Sequence, residues 1–330
     1  MRPFSLSRPP ARRGATAAAA VAALTVLAAG CSLDTSDSDA EPGSLAEDAS
    51  LDGASFTVGS KEFTEQLVLC QITALALTSV GAEVSQECGL QGSNTTRSAL
   101  ESGDIDMYWE YTGTAWINFL GHTDPIDDPT EQYESAARED LDQNAIAWLT
   151  PAPANNTYAI VAETGTAEEL GVATLSDYAA LVADDPGQAT LCIASEFAGR
   201  DDGLPGLEEA YGFHVEGGNL ATLAEGAIYN AVADNDPCNF GEAATTDGRI
   251  EGLGLTVLTD DKHFFPVYNP ALTVRASVLE EHPDLEPVFA AIAPALTDEA
   301  LQGLNARVDI DGEDAADVAR DWLQQEGFIG

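Results

Sequence analysis

The sequence predicts an α/β protein, and three observations carry that expectation. Short β-branched and apolar runs alternate with helical runs between residues 55 and 109, in the order β-α-β-α-β. The alternation returns from residue 158 with a different set of elements. Hydrophobic residues make up 45% of the 330, enough for a sizeable core. Strands that alternate with helices build parallel sheets covered by helices. At roughly 100–200 residues per domain, the length suggests two domains.

Residues 55–58 are apolar and β-branched and are expected to form the first strand. Over 64–80, Leu67, Val68, Leu69, Ile72, Leu75 and Leu77 mark a helix that Gly81 stops. Residues 83–90 alternate around Val84 and Cys88 as a second strand. Residues 95–101 read as a helix ending at Gly103, and 104–109 as a third strand. In the second half, 158–162 is a strand and 176–183 a helix capped by Ser176. A strand over 189–194, a helix over 225–233 and a strand over 253–258 follow. Residues 271–275 form a late strand, and helices are expected over 285–296, 299–308 and 315–326. After residue 30 there is no apolar run of about 20 residues, so no later segment is expected to span a membrane.

Residues 1–30 are not fold. Arg2, Arg8, Arg12 and Arg13 precede an apolar, uncharged run from Ala15 to Ala29, which ends in Leu27-Ala28-Ala29-Gly30-Cys31. This is the architecture of a secretory signal, and its end resembles a bacterial lipobox. Cleavage before Cys31 would leave a lipid-modified cysteine; the alternative is an ordinary signal peptide with an incidental cysteine. Residues 31–53 are rich in Ser, Asp, Glu, Ala and Gly and have no basic or aromatic residue. They are expected to be a disordered acidic tether between lipid and domain.

Charge narrows the function. The chain has 13 Lys and Arg against 56 Asp and Glu, a formal net charge of −43. Binding nucleic acid through a basic footprint is excluded, because each phosphate contact needs a cation. Four of the basic residues fall in the first thirty, which contain no acid, so nine remain for the rest of the chain.

The five cysteines are Cys31, Cys70, Cys88, Cys192 and Cys238. Lipidation of Cys31 leaves four, and export makes disulfides permissible. Of three possible pairings, Cys70–Cys88 with Cys192–Cys238 is the most economical, because each pair stays within one half of the chain. Free buried thiols are the alternative. No metal is expected, since there is no C-x-x-C and His122, His214, His263 and His282 are scattered.

With so few cations, two stand out by position. Lys61 follows the first strand and precedes a helix, and Arg200 follows a central strand. Ligands of open α/β sheets bind at such strand ends, where loops meet helix N-termini. Each cation could equally pair with one of the many nearby acids. Aromatic residues gather in the same loops: Tyr108, Trp109 and Tyr111 around Glu110, Tyr158 opening a strand, and Phe264, Phe265 and Tyr268 before Asn269-Pro270. Tyrosines converging from several loops would offer π-faces to a quaternary ammonium, which has no hydrogen to donate. No G-x-S-x-G elbow, H-E-x-x-H, P-loop or G-x-G-x-x-G after a strand is present, so no enzyme activity and no cofactor are expected.

Four segments carry a family resemblance: Gly59-Ser60-Lys61-Glu62-Phe63-Thr64-Glu65-Gln66, the run from Asp104 to Thr114, Arg200 before Asp202-Gly203, and Thr246-Asp247-Gly248-Arg249. With these the chain resembles the substrate-binding proteins of osmoprotectant ABC transporters, which capture glycine betaine, choline, carnitine or proline betaine. The resemblance runs from about Phe56 to the C-terminus. It implies a two-lobed type II periplasmic-binding-protein fold with ligand in the interlobe cleft. Lobe 1 would comprise 54–157 plus 267–330, and lobe 2 residues 158–266. Tyr111, Tyr158 and Tyr268 map onto the family's tyrosine cage. Lys61, Thr114 and Arg200 map onto its carboxylate-binding positions. One position departs: members often carry a further aromatic where this chain has Ala244. Phe240 or Tyr229 would replace that wall, or Glu242 would offer a carboxylate to the cation, and an open wall would admit a bulkier amine.

The expected function is therefore an extracytoplasmic, lipid-anchored monomer that captures a small quaternary amine and delivers it to an ABC permease with its ATPase. Hinge closure is expected near residues 156–158 and 263–268. Two rivals are weighed against it: a receptor for another solute, such as an amino acid or polyamine, on the same fold, and an extracytoplasmic hydrolase.

Overall fold

The computed structural model describes residues 40–330 apart from 124 and 127. The expected export signal, the lipidation site at Cys31 and residues 31–39 of the expected tether lie outside the described residues.

Among the described residues, ten strands form two five-stranded sheets. The first contains β1 (Ser55–Lys61), β2 (Glu83–Leu90), β3 (Met107–Tyr111), β4 (Ile146–Pro151) and, from much later in the chain, a strand over Pro270–Arg275. The second contains β5 (Tyr158–Glu163), β6 (Leu191–Ile193), β7 (Leu220–Thr222), β8 (Phe240–Ala244) and β9 (Leu255–Val257), so the late strand is β10. The orders are β2-β1-β3-β10-β4 and β7-β6-β8-β5-β9.

The parallel pairing expected of the first three strands holds, but each sheet as a whole is mixed. β1 runs parallel to β2 and β3, and β6 parallel to β7 and β8. β10 is antiparallel to both its neighbours, and so is β5. The cause is the route of the chain. It leaves the first sheet at the C-terminal end of β4 and crosses directly to β5, which must start at the facing edge and run backwards. The return from β9 to β10 imposes the same reversal.

Apolar residues fill both faces of each sheet. Val68, Leu69 and Ile72 of the helix Thr64–Ser79 pack with Val58, Trp109 and Phe289 on one face of the first sheet. Leu100, Ile105, Tyr108 and Trp148 form a smaller cluster with Ile146 and Ala271. In the second sheet, Ile160, Tyr178, Leu191 and Phe240 are buried in one cluster, and Val161, Cys192, Ile228 and Tyr229 in another. Successive residues of a strand face opposite ways. Phe240, Glu242 and Ala244 therefore share one face of β8, while Gly241 and Ala243 take the other. The sulfurs are joined as Cys70–Cys88, tying a helix to β2, and as Cys192–Cys238, tying β6 to the segment before β8.

Several expected elements shift. The third strand lies at Met107–Tyr111 rather than 104–109. The second-lobe helix starts at Leu175 and is capped by Thr174 in a capping box with Asp177, not by Ser176. The tether reading fails over residues 40–53. Leu45, Ala49 and Leu51 are buried, Leu45–Asp48 is helical, and Pro42 bridges Ile329. Gly330 N donates to Glu41 O at 2.9 Å, and Leu51 N to Val80 O at 2.8 Å. Two leucines and an alanine with apolar partners outweigh an acidic composition.

Candidate functional site

In both sheets the parallel strands end at edges that face one another, and between those edges lies a cleft of about 910 Å³. Lys61, Tyr111 and Thr114 reach it from the ends of β1 and β3. Asn156, Tyr158 and Tyr268 reach it from the crossings between the sheets, and Arg200 from the loop after β6. Glu242 and Ala244 line it from the end of β8.

On the wall built by the first sheet, the charges of Lys61, Glu110 and Glu65 are met by partners within the chain. Lys61, 3% exposed, places Nζ 2.6 Å from Glu110 Oε1 and 5.1 Å from the Tyr111 ring centroid. Glu110 also accepts from Tyr108 Oη at 2.7 Å and from Tyr111 N at 2.7 Å. Glu65, behind the tyrosine, accepts from Tyr111 Oη (2.8 Å), Asn156 Nδ2 (2.9 Å), Thr246 Oγ1 (2.5 Å) and Asn305 Nδ2 (3.1 Å). Burial raises the Glu65 pKa against the opposing pull of those bonds. The Tyr111 ring stacks on Phe63, with centroids 6.2 Å apart. Gly113 lets Tyr268 approach from the other side, since a Cβ at 113 would meet that ring at 2.8 Å.

On the second wall, Arg200 Nε donates to Asp202 Oδ1 at 2.7 Å and Nη2 to Asp202 Oδ2. Its Nη1 donates to Glu196 Oε1 at 2.9 Å, and its Nη2 to Thr114 Oγ1 at 3.4 Å. The guanidinium lies 5.5 Å from the Tyr158 centroid. Tyr158 meets Tyr268 edge to face at 5.5 Å, and Tyr268 Oη donates to Asp202 Oδ2 at 2.7 Å. Glu196 also spans the cleft, accepting from Ser93 N at 3.0 Å and Ser93 Oγ at 2.6 Å. Burial would push Glu196 up, yet the charges of Lys61 and Arg200 and the two Ser93 bonds hold it down at about 2.

Two carboxyls of this wall are compensated too weakly to offset their burial: Glu242 by a bond from the Ala194 backbone N–H and the charge of Arg200, and Glu225 by the charge of Arg249. Glu242 is 3% exposed, and its Oε2 has no hydrogen-bond donor among the described residues. Burial, then repulsion from Glu225, pushes its pKa well above the usual carboxylate range. Glu225 is pushed up to about 7 by burial and by the charges of Asp247, Glu196 and Glu62, with Arg249 opposing.

Lys61, Tyr111, Thr114, Tyr158, Arg200, Tyr268 and Glu242 thus meet around one cleft. Tyr229 and Phe240 do not. Phe240 sits in the core 4.8 Å from the Tyr178 ring, because its place on β8 is below Glu242. Tyr229 is buried beneath Ala244, whose N donates to Tyr229 Oη at 3.1 Å, and its ring covers Arg249 at 4.1 Å. Neither replaces a wall at Ala244. Sequence reasoning missed Phe63, Asn156, Glu196 and Glu225 as lining residues. Phe63 stands two residues after Lys61, so its place in the same loop was the available signal. Among the described residues no cluster of three His, Cys, Asp or Glu could hold a metal ion, and no helix is long and apolar enough to cross a membrane.

Comparison with known proteins agrees with this geometry. The family model described as the substrate-binding domain of ABC-type glycine betaine transport systems matches residues 54–325. A glycine-betaine-binding protein of Pseudomonas aeruginosa is 39% identical over 277 residues, which are 82% of this chain and 88% of that protein. The glycine betaine-binding protein YehZ of Escherichia coli is 37% identical over 280 residues, 82% of this chain and 90% of its own length. The solved structure of apo YehZ superposes with a TM-score of 0.62 at 34% identity, covering 84% of this chain and all of that one.

Proposed function

This chain belongs to the family of substrate-binding domains of ABC-type glycine betaine transport systems, and on that premise we propose that its cleft captures a quaternary ammonium solute for delivery to a membrane permease. The observation that carries the reading is the meeting of four aromatic residues, Phe63, Tyr111, Tyr158 and Tyr268, with Lys61 and Arg200 around one cleft. Ring faces attract a cation that cannot donate a hydrogen bond. Lys61, Thr114 and Arg200 receive the carboxylate of a betaine, although both cations already hold acids of the chain. Residues 54–157 plus 267–330 and residues 158–266 act as two rigid lobes that close on the ligand. Cys31 is the lipid attachment site that keeps the receptor at the outer face of the membrane.

A thermal-shift panel tests the reading, because a ligand of the native state raises the melting temperature by mass action. Glycine betaine, choline or carnitine should raise it, while amino acids and polyamines should not. A shift with polyamines or amino acids alone would overturn the quaternary ammonium assignment in favour of another solute. Turnover of simple esters would point to a hydrolase instead.

A further inference from the structure

The cleft is asymmetric in what it leaves unpaired. Among the described residues lining it, the buried side-chain oxygens without a hydrogen-bond donor are Glu242 Oε2, Asn156 Oδ1 and Asp309 Oδ2. All three are acceptors, Glu242 once the cation of a bound solute has drawn it into its ionised form. Asp309 Oδ2 has the Arg249 guanidinium 3.5 Å away. Asn156 is half-buried, and its amide is oriented by the bond from Nδ2 to Glu65. Glu242 is the extreme case, buried and with no ion pair: the Ala194 backbone N–H bonds its carboxyl, yet Oε2 stays open. The cations lining the cleft are engaged elsewhere: Lys61 with Glu110, Arg200 with Asp202 and Glu196, Arg249 with Asp247. The charged groups acting on Glu242 are Glu225 and Glu196, which repel it, and Arg200, which attracts it.

We propose that Glu242 determines specificity by accepting a hydrogen bond from an O–H or N–H group on the bound solute. The cleft then favours quaternary ammonium solutes with a donor on a side arm over those with only methyl groups and a carboxylate. This deepens the reading of the cleft as a quaternary ammonium site and rests on it. A trimethylammonium group has no hydrogen on nitrogen and a carboxylate only accepts, so a plain betaine satisfies none of the open acceptors. A buried acceptor left unpaired keeps its full desolvation penalty, so a solute that supplies the donor gains over one that does not. Access is provided by Ala244, which shares the face of Glu242 and pairs with Tyr158 across the strands, where a larger side chain would screen the carboxyl.

Isothermal titration with choline and its O-methyl ether, which differ by the hydroxyl hydrogen, tests the proposal. The native protein should bind choline roughly tenfold or more tightly, the scale of a hydrogen bond to a charged group. Glu242→Leu should bring the two affinities together, and Glu242→Gln, which keeps size and an acceptor oxygen, should retain part of the preference. Equal affinities in the native protein would overturn the proposal, a result that does not depend on any variant folding. A preference that survives in Glu242→Leu would also overturn it, as would a loss of glycine betaine binding in Glu242→Leu with choline unaffected. If glycine betaine, choline and the ether all fail to bind, the quaternary ammonium reading itself falls and takes this proposal with it.

Discussion

The two walls of the cleft solve the problem of buried charge in opposite ways. On the first, Glu110 is matched by Lys61, Tyr108 and a backbone N–H, and Glu65 by four donors. On the second, Glu242 keeps an oxygen without a donor, and Glu225 lies among like charges. A satisfied network fixes a surface before anything binds, whereas an open acceptor waits for a partner. The contrast suggests that the first wall is scaffold for the ligand and the second is where ligands are told apart.

Stability measurements give the largest expected difference between the walls. Glu110→Ala strips Lys61 of its partner in the interior and should lower unfolding free energy by about 3–5 kcal/mol in urea denaturation. Glu242→Leu removes a buried carboxyl that has no ion pair and one bond from the Ala194 backbone N–H, and should cost far less, about 1 kcal/mol. Equal losses in the two variants would erase the distinction. Binding comes next in size. Tyr111→Ala and Tyr158→Ala should each weaken a quaternary ammonium ligand by about 1–2 kcal/mol in isothermal titration, and unchanged affinity in both would remove the aromatic contribution.

Proton linkage sharpens the comparison further. With a pKa of about 7, Glu225 is protonated below that pH and gains its negative charge as pH rises through it. A cation bound nearby favours the ionised form, so affinity should rise between pH 6 and 8, by at most about tenfold for one proton. Glu225→Gln should flatten the profile, and a native profile that is already flat would detach this carboxyl from the ligand. The smallest effect belongs to the clasp between the walls. Ser93→Ala removes one bond to Glu196 and should cost about 1 kcal/mol of affinity. Because Glu196 is depressed to about 2, its contribution is complete above the usual carboxylate range and fades as pH falls toward that value. An affinity unmoved by Ser93→Ala would make the clasp incidental.

Where side chains obey a period or sit at a strand end, the sequence was readable. The helix Thr64–Ser79 announced itself through leucines at helical spacing, and Lys61 and Arg200 stood out as rare cations after strands. Helix Pro129–Asn144 did not, because polar groups hold it in place. Its Asp140 is fully buried, bound to the Arg97 guanidinium, Trp148 Nε1 and Asn144 Nδ2. The reversed directions of β5 and β10 follow from the end at which a crossing arrives, and composition does not record that. Phe240 and Glu242 lie two residues apart on one face, yet one is core and the other lines the cleft. Only the length of β8 decides between them.

The crossings between the sheets are also bound to each other. Asn156 N donates to Tyr268 O at 3.1 Å, Tyr268 N to Asn155 Oδ1 at 2.8 Å, and Thr157 Oγ1 to Pro266 O at 3.1 Å. A door on a single pin swivels in any direction, whereas a door on two joined pins turns about one line. Asn156, Tyr158 and Tyr268 are parts of those pins and of the cleft lining alike. In the proposed closure, a solute between the walls would therefore grip the axle directly, and its grip would be felt as a torque about one axis.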